Sequence, residues 1–152
     1  MRLTLVAVGR LRKGPEKVLV DDYLARFAKT GRGQGLPPVT LTEVEGRGSG
    51  SEAEAIARAL PEGAALVLLD ERGATLTSPD FAARLGAWRD EARDVALVIG
   101  GADGLDAALR DRADLLLSFG AMVWPHMLVR VMLAEQLYRA ASILAGSPYH
   151  RA

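Results

Sequence analysis

Three short apolar runs constrain the fold of this 152-residue chain more than any other feature of its sequence. Ala65–Leu69, Val95–Ile99 and Leu115–Leu117 consist entirely of Leu, Val, Ile and Ala. A strand with one face in water alternates apolar and polar residues, whereas a strand covered on both faces is apolar throughout. The runs therefore predict the buried strands of a mostly parallel sheet that is flanked by helices.

Two more strands and five helices are predicted around these runs. Leu3–Val8 and Val39–Val44 have the composition of strands, and Ser51 with Glu54 indicates a capping box at the start of a helix. The predicted helices run from Pro15 to about Lys29, from Ser51 to before Pro61, from Ser78 past Trp88, over Leu105–Arg112, and over about residues 127 to 145. Alternating strands and helices predict an α/β fold that forms one domain over residues 1–152.

The composition excludes several kinds of site. The chain has no cysteine, which excludes disulfides, thiolate metal sites and a cysteine nucleophile. Its two histidines, His126 and His150, are too few for a histidine-built metal site, so we expect no metal. The apolar run at the N-terminus stops at Gly9, which indicates a strand and not a signal peptide. Charged residues interrupt the last predicted helix, so we expect no membrane segment and a cytoplasmic protein.

Charge is unevenly distributed along the chain, although the net charge is zero. Residues 1–47 contain nine Lys and Arg against five Asp and Glu, and residues 121–152 contain three against one. Residues 48–120 contain seven against thirteen. If the two ends of the chain meet in the fold, they form a basic face on an acidic body, which suits an RNA partner. The alternative is that short segments differ in charge by chance.

Three loops at the predicted strand ends are candidates for ligand binding, because ligands of open α/β sheets bind beyond the carboxyl ends of the strands. The loops are Leu69–Gly73, Ile99–Gly104 and Ser118–His126. The second has the spacing G-G-x-x-G with Asp103 inside it, and so lacks the G-x-G-x-x-G pattern of dinucleotide sites. By itself this loop indicates either a tight strand-to-helix turn or a ligand site. Met122–Trp124 in the third loop either cap the core or line an apolar pocket.

Polar candidates for chemistry lie along the last predicted helix and after it. His126 fits an anion contact, a general base or a solvated loop residue. Arg130 and Arg139 are offset from the apolar stripe of the helix, which indicates a solvated helix face. The consecutive Tyr149, His150 and Arg151 either stack on a base and hold a phosphate or belong to a frayed chain end.

Five segments, in order along the chain, resemble one known family. They are Leu5–Gly9, Val98–Gly101 with Gly104, Pro125–Arg130, Glu135–Ala140 and Pro148–Arg151. With these segments the sequence is similar, over essentially its whole length, to the ribosomal large subunit pseudouridine N3-methyltransferase family. One departure is the glycine-rich stretch 31–37, which looks longer than the matching region of the family. We expect Thr30–Pro38 to form a mobile loop because it is rich in Gly and Pro.

The resemblance implies a single-domain, knotted SPOUT-type methyltransferase fold, a homodimer, and S-adenosyl-L-methionine as the cofactor. The implied substrate is a pseudouridine in helix 69 of 23S rRNA, within the assembled ribosome. The implied cofactor-binding residues lie in the three strand-end loops and are Leu69, Gly100, Gly101, Phe119, Gly120, Ala121, Met122, Val123 and Trp124. On this interpretation the apolar residues of the third loop line a pocket.

The implied reaction requires side chains that remove a proton and stabilise negative charge. N3 must lose its proton to accept a methyl group, and the two imidazoles, His126 and His150, are the side chains suited by type to take it near neutral pH. Arg130 or Arg151 would stabilise charge on the neighbouring carbonyl oxygens, and Tyr149 completes the predicted catalytic set. The absence of cysteine argues against methylation of uracil C5 through a thiolate adduct. The alternatives are a noncatalytic ribosome-binding module and a methyltransferase that acts on another RNA.

Overall fold

The computed structural model describes residues 1–46, 49–101 and 104–151. Strands and helices alternate along these ranges. The strands are β1 (Leu3–Val8), β2 (Val39–Val44), β3 (Ala65–Ala74), β4 (Val95–Ile99) and β5 (Leu115–Leu117). The helices are α1 (Pro15–Gly31), α2 (Ser49–Ala59), α3 (Ser78–Asp90), α4 (Ala107–Asp111) and α5 (His126–Leu144), with short 3₁₀ helices at Arg32–Gln34 and Pro148–Arg151.

The five strands form one parallel sheet in the order β2-β1-β4-β3-β5. Leu97 of β4 pairs with Leu5 of β1 on one side and with Val67 of β3 on the other. Helices α1, α3 and α5 cover one face of the sheet, and α2 and α4 cover the other. β1 and β4 are buried along their whole length for this reason. The predicted parallel sheet with helices on both faces is confirmed.

Strand β3 extends further than its apolar run predicts. Leu117 of β5 pairs with both Leu69 and Ala74, so Asp70–Gly73 project from the ladder as a bulge. A Cβ atom placed on Gly73 would lie 2.6 Å from the carbonyl carbon and oxygen of Leu116. The backbone of the bulge can approach β5 this closely because glycine has no side chain.

Two sequence predictions are wrong in detail. Helix α2 begins at Ser49, two residues before the predicted start at Ser51. The stretch Thr30–Pro38 is a loop only from Gly35 onward, because α1 continues to Gly31 and the 3₁₀ helix Arg32–Gln34 follows it. Leu36 in this stretch is 2% exposed and packs into the core, which fixes the turn against the sheet.

The two ends of the chain meet in the fold, because α1 packs along α5. Several cations at this junction are neutralised by acids one helical turn away: Lys17 pairs with Asp21, and Arg26 pairs with Asp22. The basic face expected from the sequence is therefore reduced to the cations that have no such partner. None of the helices within the described ranges is both long and apolar enough to span a membrane.

We expect Gly73→Ala to destabilise the protein by about 1–3 kcal/mol, because the added methyl group would overlap the Leu116 carbonyl. The measurement is the free energy of unfolding in urea. Gly33→Ala is the matched control, since a Cβ at Gly33 meets no atom within 4 Å. Equal unfolding free energies for the two variants would show that the bulge does not need its close approach to β5.

Candidate functional site

A pocket of about 700 Å³ lies at the carboxyl edge of the sheet. The bulge of β3 and the loops that follow β4 and β5 form its walls together with the first turn of α5. Eight of the nine residues predicted to bind the cofactor line it: Leu69, Gly100, Gly101, Phe119, Gly120, Met122, Val123 and Trp124. Ala121 is exposed and does not line the pocket. The structure thus brings together three segments that are distant in the sequence, of which the first, Leu69–Gly73, is part of β3 and not a loop after it.

The rim of the pocket is apolar and exposed. Met122 is 77% exposed, Val123 is 78% exposed and Trp124 is 43% exposed. These three residues do not cap the core, so of the two interpretations of this segment the structure supports the pocket lining. Large apolar side chains in water mark a surface that a ligand or a partner covers.

The loop after β4 is shaped by two glycines that have no room for a side chain. A Cβ atom at Gly100 would lie 2.9 Å from Leu105 Cδ2, and one at Gly101 would lie 2.9 Å from Glu52 Oε1. The Gly104 N–H donates to the Gly101 carbonyl over 3.0 Å, and Gly104 has a φ of 76°. The loop therefore forms a tight turn and also lines the pocket, so the two interpretations of its sequence are compatible. Ala102 and Asp103 lie outside the described residues.

Ser118 connects the loop after β5 to the bulge of β3. Ser118 is 5% exposed. Its Oγ lies 3.1 Å from the Glu71 carbonyl oxygen and 2.9 Å from the Gly120 carbonyl oxygen. One hydroxyl proton serves one of these acceptors at a time, while Oγ accepts from the Gly120 N–H over 3.0 Å. Gly120 has a φ of 121°, which favours glycine. Ser118 therefore holds two pocket walls in register, a role that nothing in its own sequence context indicates.

Asp70 is a second residue that the sequence analysis missed. Its side chain is 7% exposed, and it accepts from the Arg72 backbone N–H over 2.9 Å and from the Arg72 guanidinium over 3.1 Å. Arg110 Nη1 lies 3.7 Å from the same carboxylate and links the bulge to α4. The two arginines neutralise a nearly buried charge, so Asp70 fixes the shape of the bulge at the pocket. A strand-end Asp with an Arg two residues later is the only local signal for this arrangement.

His126 is the first residue of α5 and is half-buried in the pocket wall. The proposal of a solvated loop residue is therefore wrong. An anion contact and a general base remain, and both suit an imidazole at the start of a helix beside a ligand pocket.

Arg130 is completely buried, so its interpretation as part of a solvated helix face is wrong. Its Nη1 donates to Glu43 Oε2 over 2.7 Å, and its Nη2 donates to the Gly9 carbonyl over 3.1 Å. Glu43 Oε2 also accepts from the Leu11 N–H over 2.6 Å. The guanidinium therefore joins α5 to the ends of β1 and β2 and does not line the pocket. Its catalytic role stays a prediction.

The C-terminal tail is folded onto α5 and is not frayed. The Tyr149 hydroxyl donates to Glu135 Oε1 over 3.1 Å, and its ring lies 4.5 Å from the Tyr138 ring, centroid to centroid. The Arg139 guanidinium lies 5.0 Å from the centre of the Tyr149 ring and pairs with Glu135. Burial, reinforced by the hydrogen bond to Glu135, raises the pKa of Tyr149 to about 12. The phenol therefore stays protonated and keeps donating at physiological pH.

The tail and the pocket are separate within one chain. Neither Tyr149, His150 nor Arg151 lines the pocket. The tail contacts α5 at Glu135, which is nine residues after His126 and so about 14 Å further along the helix. His150 is half-buried and its Nδ1 is buried without a hydrogen-bond partner, while Arg151 is exposed. The structure therefore does not bring the five predicted catalytic residues together in a single chain.

No group of three His, Asp or Glu side chains in the described part of the chain is arranged to hold a metal ion.

Comparison with known proteins bears on what the pocket is for. The family model described as "Predicted SPOUT methyltransferase" matches residues 1–150. The chain belongs to this family. The methyltransferase activity and the SPOUT-type fold class expected from the resemblance are confirmed by this membership. The knot that the resemblance also implies stays a prediction.

Relatives within the SPOUT methyltransferase family match the chain over almost its whole length. Proteins named "Ribosomal RNA large subunit methyltransferase H" are 70% identical in Paracoccus denitrificans and 73% identical in Cereibacter sphaeroides, and each match covers 99% of both chains. The crystal structure of the SpoU methyltransferase AviRb from Streptomyces viridochromogenes, in complex with AdoMet, is 18% identical with a TM-score of 0.44. That match covers 91% of this chain and 60% of AviRb.

We expect Ser118→Ala to weaken binding of S-adenosylhomocysteine about 5- to 30-fold, because the hydroxyl orders two pocket walls and its loss costs about 1–2 kcal/mol. The measurement is the dissociation constant by titration calorimetry. The matched control is Ser142→Ala, which removes another buried hydroxyl that bonds only within α5, to the Tyr138 carbonyl. An unchanged affinity in Ser118→Ala would exclude Ser118 from shaping the pocket.

Proposed function

We propose that the chain transfers a methyl group from S-adenosyl-L-methionine to N3 of a pseudouridine in helix 69 of 23S rRNA, on the assembled ribosome in the cytoplasm. Methylation of large-subunit rRNA is supported by the two relatives named as ribosomal RNA large subunit methyltransferases, which are 70 and 73% identical over 99% of the chain. The observation that supports the cofactor is the convergence of eight predicted binding residues on one pocket.

The pocket fits such a cofactor in size and in chemistry. Its volume of about 700 Å³ is within the usual range of small-molecule sites. Gly100, Gly101 and Gly120 line the pocket without side chains, so a ligand can approach the backbone closely there, and the exposed apolar rim suits an uncharged ring. When bound, the cofactor supplies a methyl group on a positively charged sulfur, which needs no further activation.

The protein then has to orient the base and handle the N3 proton. His126 is the only imidazole on the pocket wall within one chain, so it is suited to contact the substrate or to accept the proton. His150 and Arg151 do not line the pocket of their own chain. We infer that they reach the pocket of a second copy, where His150 is the other candidate base and Arg151 stabilises charge on the carbonyl oxygens.

A second copy is also suggested by the exposed apolar surface. In the described residues the exposed large hydrophobic side chains are Val18, Leu19, Met122, Val123, Trp124 and Leu128. They lie on α1, on the pocket rim and on the first turns of α5, and α1 and α5 pack against each other. We propose that the homodimer covers this surface, because a symmetric pairing buries the same patch on both chains.

Arg130 acts in this proposal as a positioning residue. It ties the start of α5 to the ends of β1 and β2 through Glu43 and the Gly9 carbonyl. His126 is one helical turn before it, so this contact fixes the imidazole against the pocket wall.

The substrate is tested by methyl transfer from labelled S-adenosyl-L-methionine to ribosomes, to separated subunits and to protein-free rRNA, with the product base identified by mass spectrometry. We expect one methyl group, on N3 of a helix 69 pseudouridine, in assembled ribosomes. Label on a different base would replace the proposed substrate with another RNA site. Cofactor binding without label on any RNA would favour a noncatalytic ribosome-binding module.

We expect His150→Ala to lower turnover about 10²- to 10⁴-fold, the usual contribution of a general acid or base, and to leave the cofactor dissociation constant unchanged. Single-turnover methyl transfer and calorimetry measure the two quantities. Ser147→Ala is the control in the same tail: it removes a hydroxyl that accepts from the Tyr149 N–H over 3.4 Å but no group that takes a proton, so its turnover should stay within about threefold of the wild type. Turnover within twofold of the wild type in His150→Ala would remove His150 from the mechanism.

A further inference from the structure

Three exposed cations lie in the loop between β1 and α1, which spans Gly9–Gly14 and is called here the basic loop. Arg10, Arg12 and Lys13 are exposed, whereas Leu11 between the two arginines is buried. With Leu11 turned into the protein, its neighbours project into solvent. None of the three cations forms an ion pair with any residue in the described ranges, in contrast to Lys17 and Arg26 on the adjacent helix.

The basic loop begins beside the pocket. β1 pairs with β4 as far as Ala7 and Ile99, so both strands end at the same edge of the sheet. A Cβ atom at the pocket residue Gly101 would lie 3.1 Å from Val8 Cγ1, the residue that ends β1. Arg10 follows Val8 by two residues. The loop is therefore the next one along the edge from the glycine loop of the pocket.

The basic loop is anchored to the rest of the protein at Gly9 and at Leu11. The Gly9 N–H donates to the Val44 carbonyl over 2.8 Å, and the Gly9 carbonyl accepts from Arg130 Nη2 over 3.1 Å. The Leu11 N–H donates to Glu43 Oε2 over 2.6 Å, and that carboxylate is held by Arg130 Nη1. A loop ordered in this way before binding loses little conformational entropy when it meets a ligand.

We propose that the basic loop binds backbone phosphates of the RNA substrate next to the reacting base, which rests on the proposed function. Guanidinium groups bind phosphate oxygens through paired hydrogen bonds, and a lysine adds a positive charge without that directionality. The chain has a net charge of zero, so it has no general attraction to RNA. A local cluster of free cations beside the pocket supplies contact energy where the substrate has to be held.

The test compares two variants with the same loss of charge. One carries Arg10→Ala, Arg12→Ala and Lys13→Ala together. The control removes three exposed cations from the opposite edge of the sheet, with Lys29→Ala, Arg58→Ala and Arg112→Ala together. Lys29, Arg58 and Arg112 lie at the ends of α1, α2 and α4, and none of them forms an ion pair within the described residues.

We expect the loop variant to raise KM for ribosomes about 10- to 100-fold and to reduce the slope of log affinity against log salt by about 2, because phosphate contacts release counterions. The control should stay within twofold of the wild type, and the cofactor dissociation constant should not change in either variant. Equal KM values for the two variants would overturn the proposal. So would a loss of cofactor affinity in the loop variant as large as its rise in KM.

A charge-preserving variant separates the loss of charge from other effects of replacing the three side chains. Arg10→Lys, Arg12→Lys and Lys13→Arg together should keep KM within about fivefold of the wild type, since the charges remain and only paired hydrogen bonds are lost. Urea titrations show whether the alanine variant is folded in the absence of urea. If it is not, Arg10→Ala and Arg12→Ala are measured singly, and an unchanged KM in both overturns the proposal.

The proposed phosphate contact of the basic loop and the proposed substrate can be disproved separately. If the wild type methylates no RNA, the proposed function fails, whereas filter binding of 23S rRNA to the same variants still tests the basic loop. If the wild type methylates rRNA and the loop variant has the same KM and salt slope, the basic loop fails alone.

Discussion

One buried positive charge determines how the last helix meets the sheet. Arg130 has no solvent exposure, and a guanidinium in that position has to be neutralised and hydrogen-bonded. Glu43 at the end of β2 supplies the charge, and the Gly9 carbonyl at the end of β1 supplies an acceptor. This contact places the start of α5 at the carboxyl edge, so that its first residue reaches the pocket wall. It also anchors the basic loop, because Glu43 binds the Leu11 N–H.

The rest of the carboxyl edge of the sheet is shaped by close contacts between backbone segments. Leu117 pairs with β3 on both sides of the bulge, and Ser118 then bonds to the Glu71 carbonyl and to Gly120. Glycines at 73, 100 and 101 allow contacts that any side chain would block. Much of the pocket wall is thus formed by backbone whose position is fixed by contacts outside the pocket. Its exposed apolar rim is the part that a single chain leaves uncovered.

Local patterns predicted the parts of this structure that depend on neighbours in sequence. All five strands lie where their apolar runs start, and the glycine loops line the pocket as the family resemblance implied. Contacts between distant segments were missed. Arg130 was assigned to solvent because its partner Glu43 is 87 residues away, and Ser118 acts on a bulge 47 residues earlier. The extension of β3 was missed because it depends on the pairing of Ala74 with Leu117 of β5 across the bulge, and not on the strand propensity of the polar residues in between.

We propose that the reaction requires two chains, because the pocket and the tail of one chain lie apart on α5. Subunit mixing tests it directly. One variant lacks the tail groups, with His150→Ala and Arg151→Ala, and the other carries Gly100→Val, which places a branched side chain against Leu105 in the pocket wall. Each should be inactive alone, and an equal mixture should recover about a quarter of wild-type methyl transfer, since half of the dimers then hold one intact site. A mixture with no more activity than its components would contradict the claim and place the tail and the pocket of one site in the same chain.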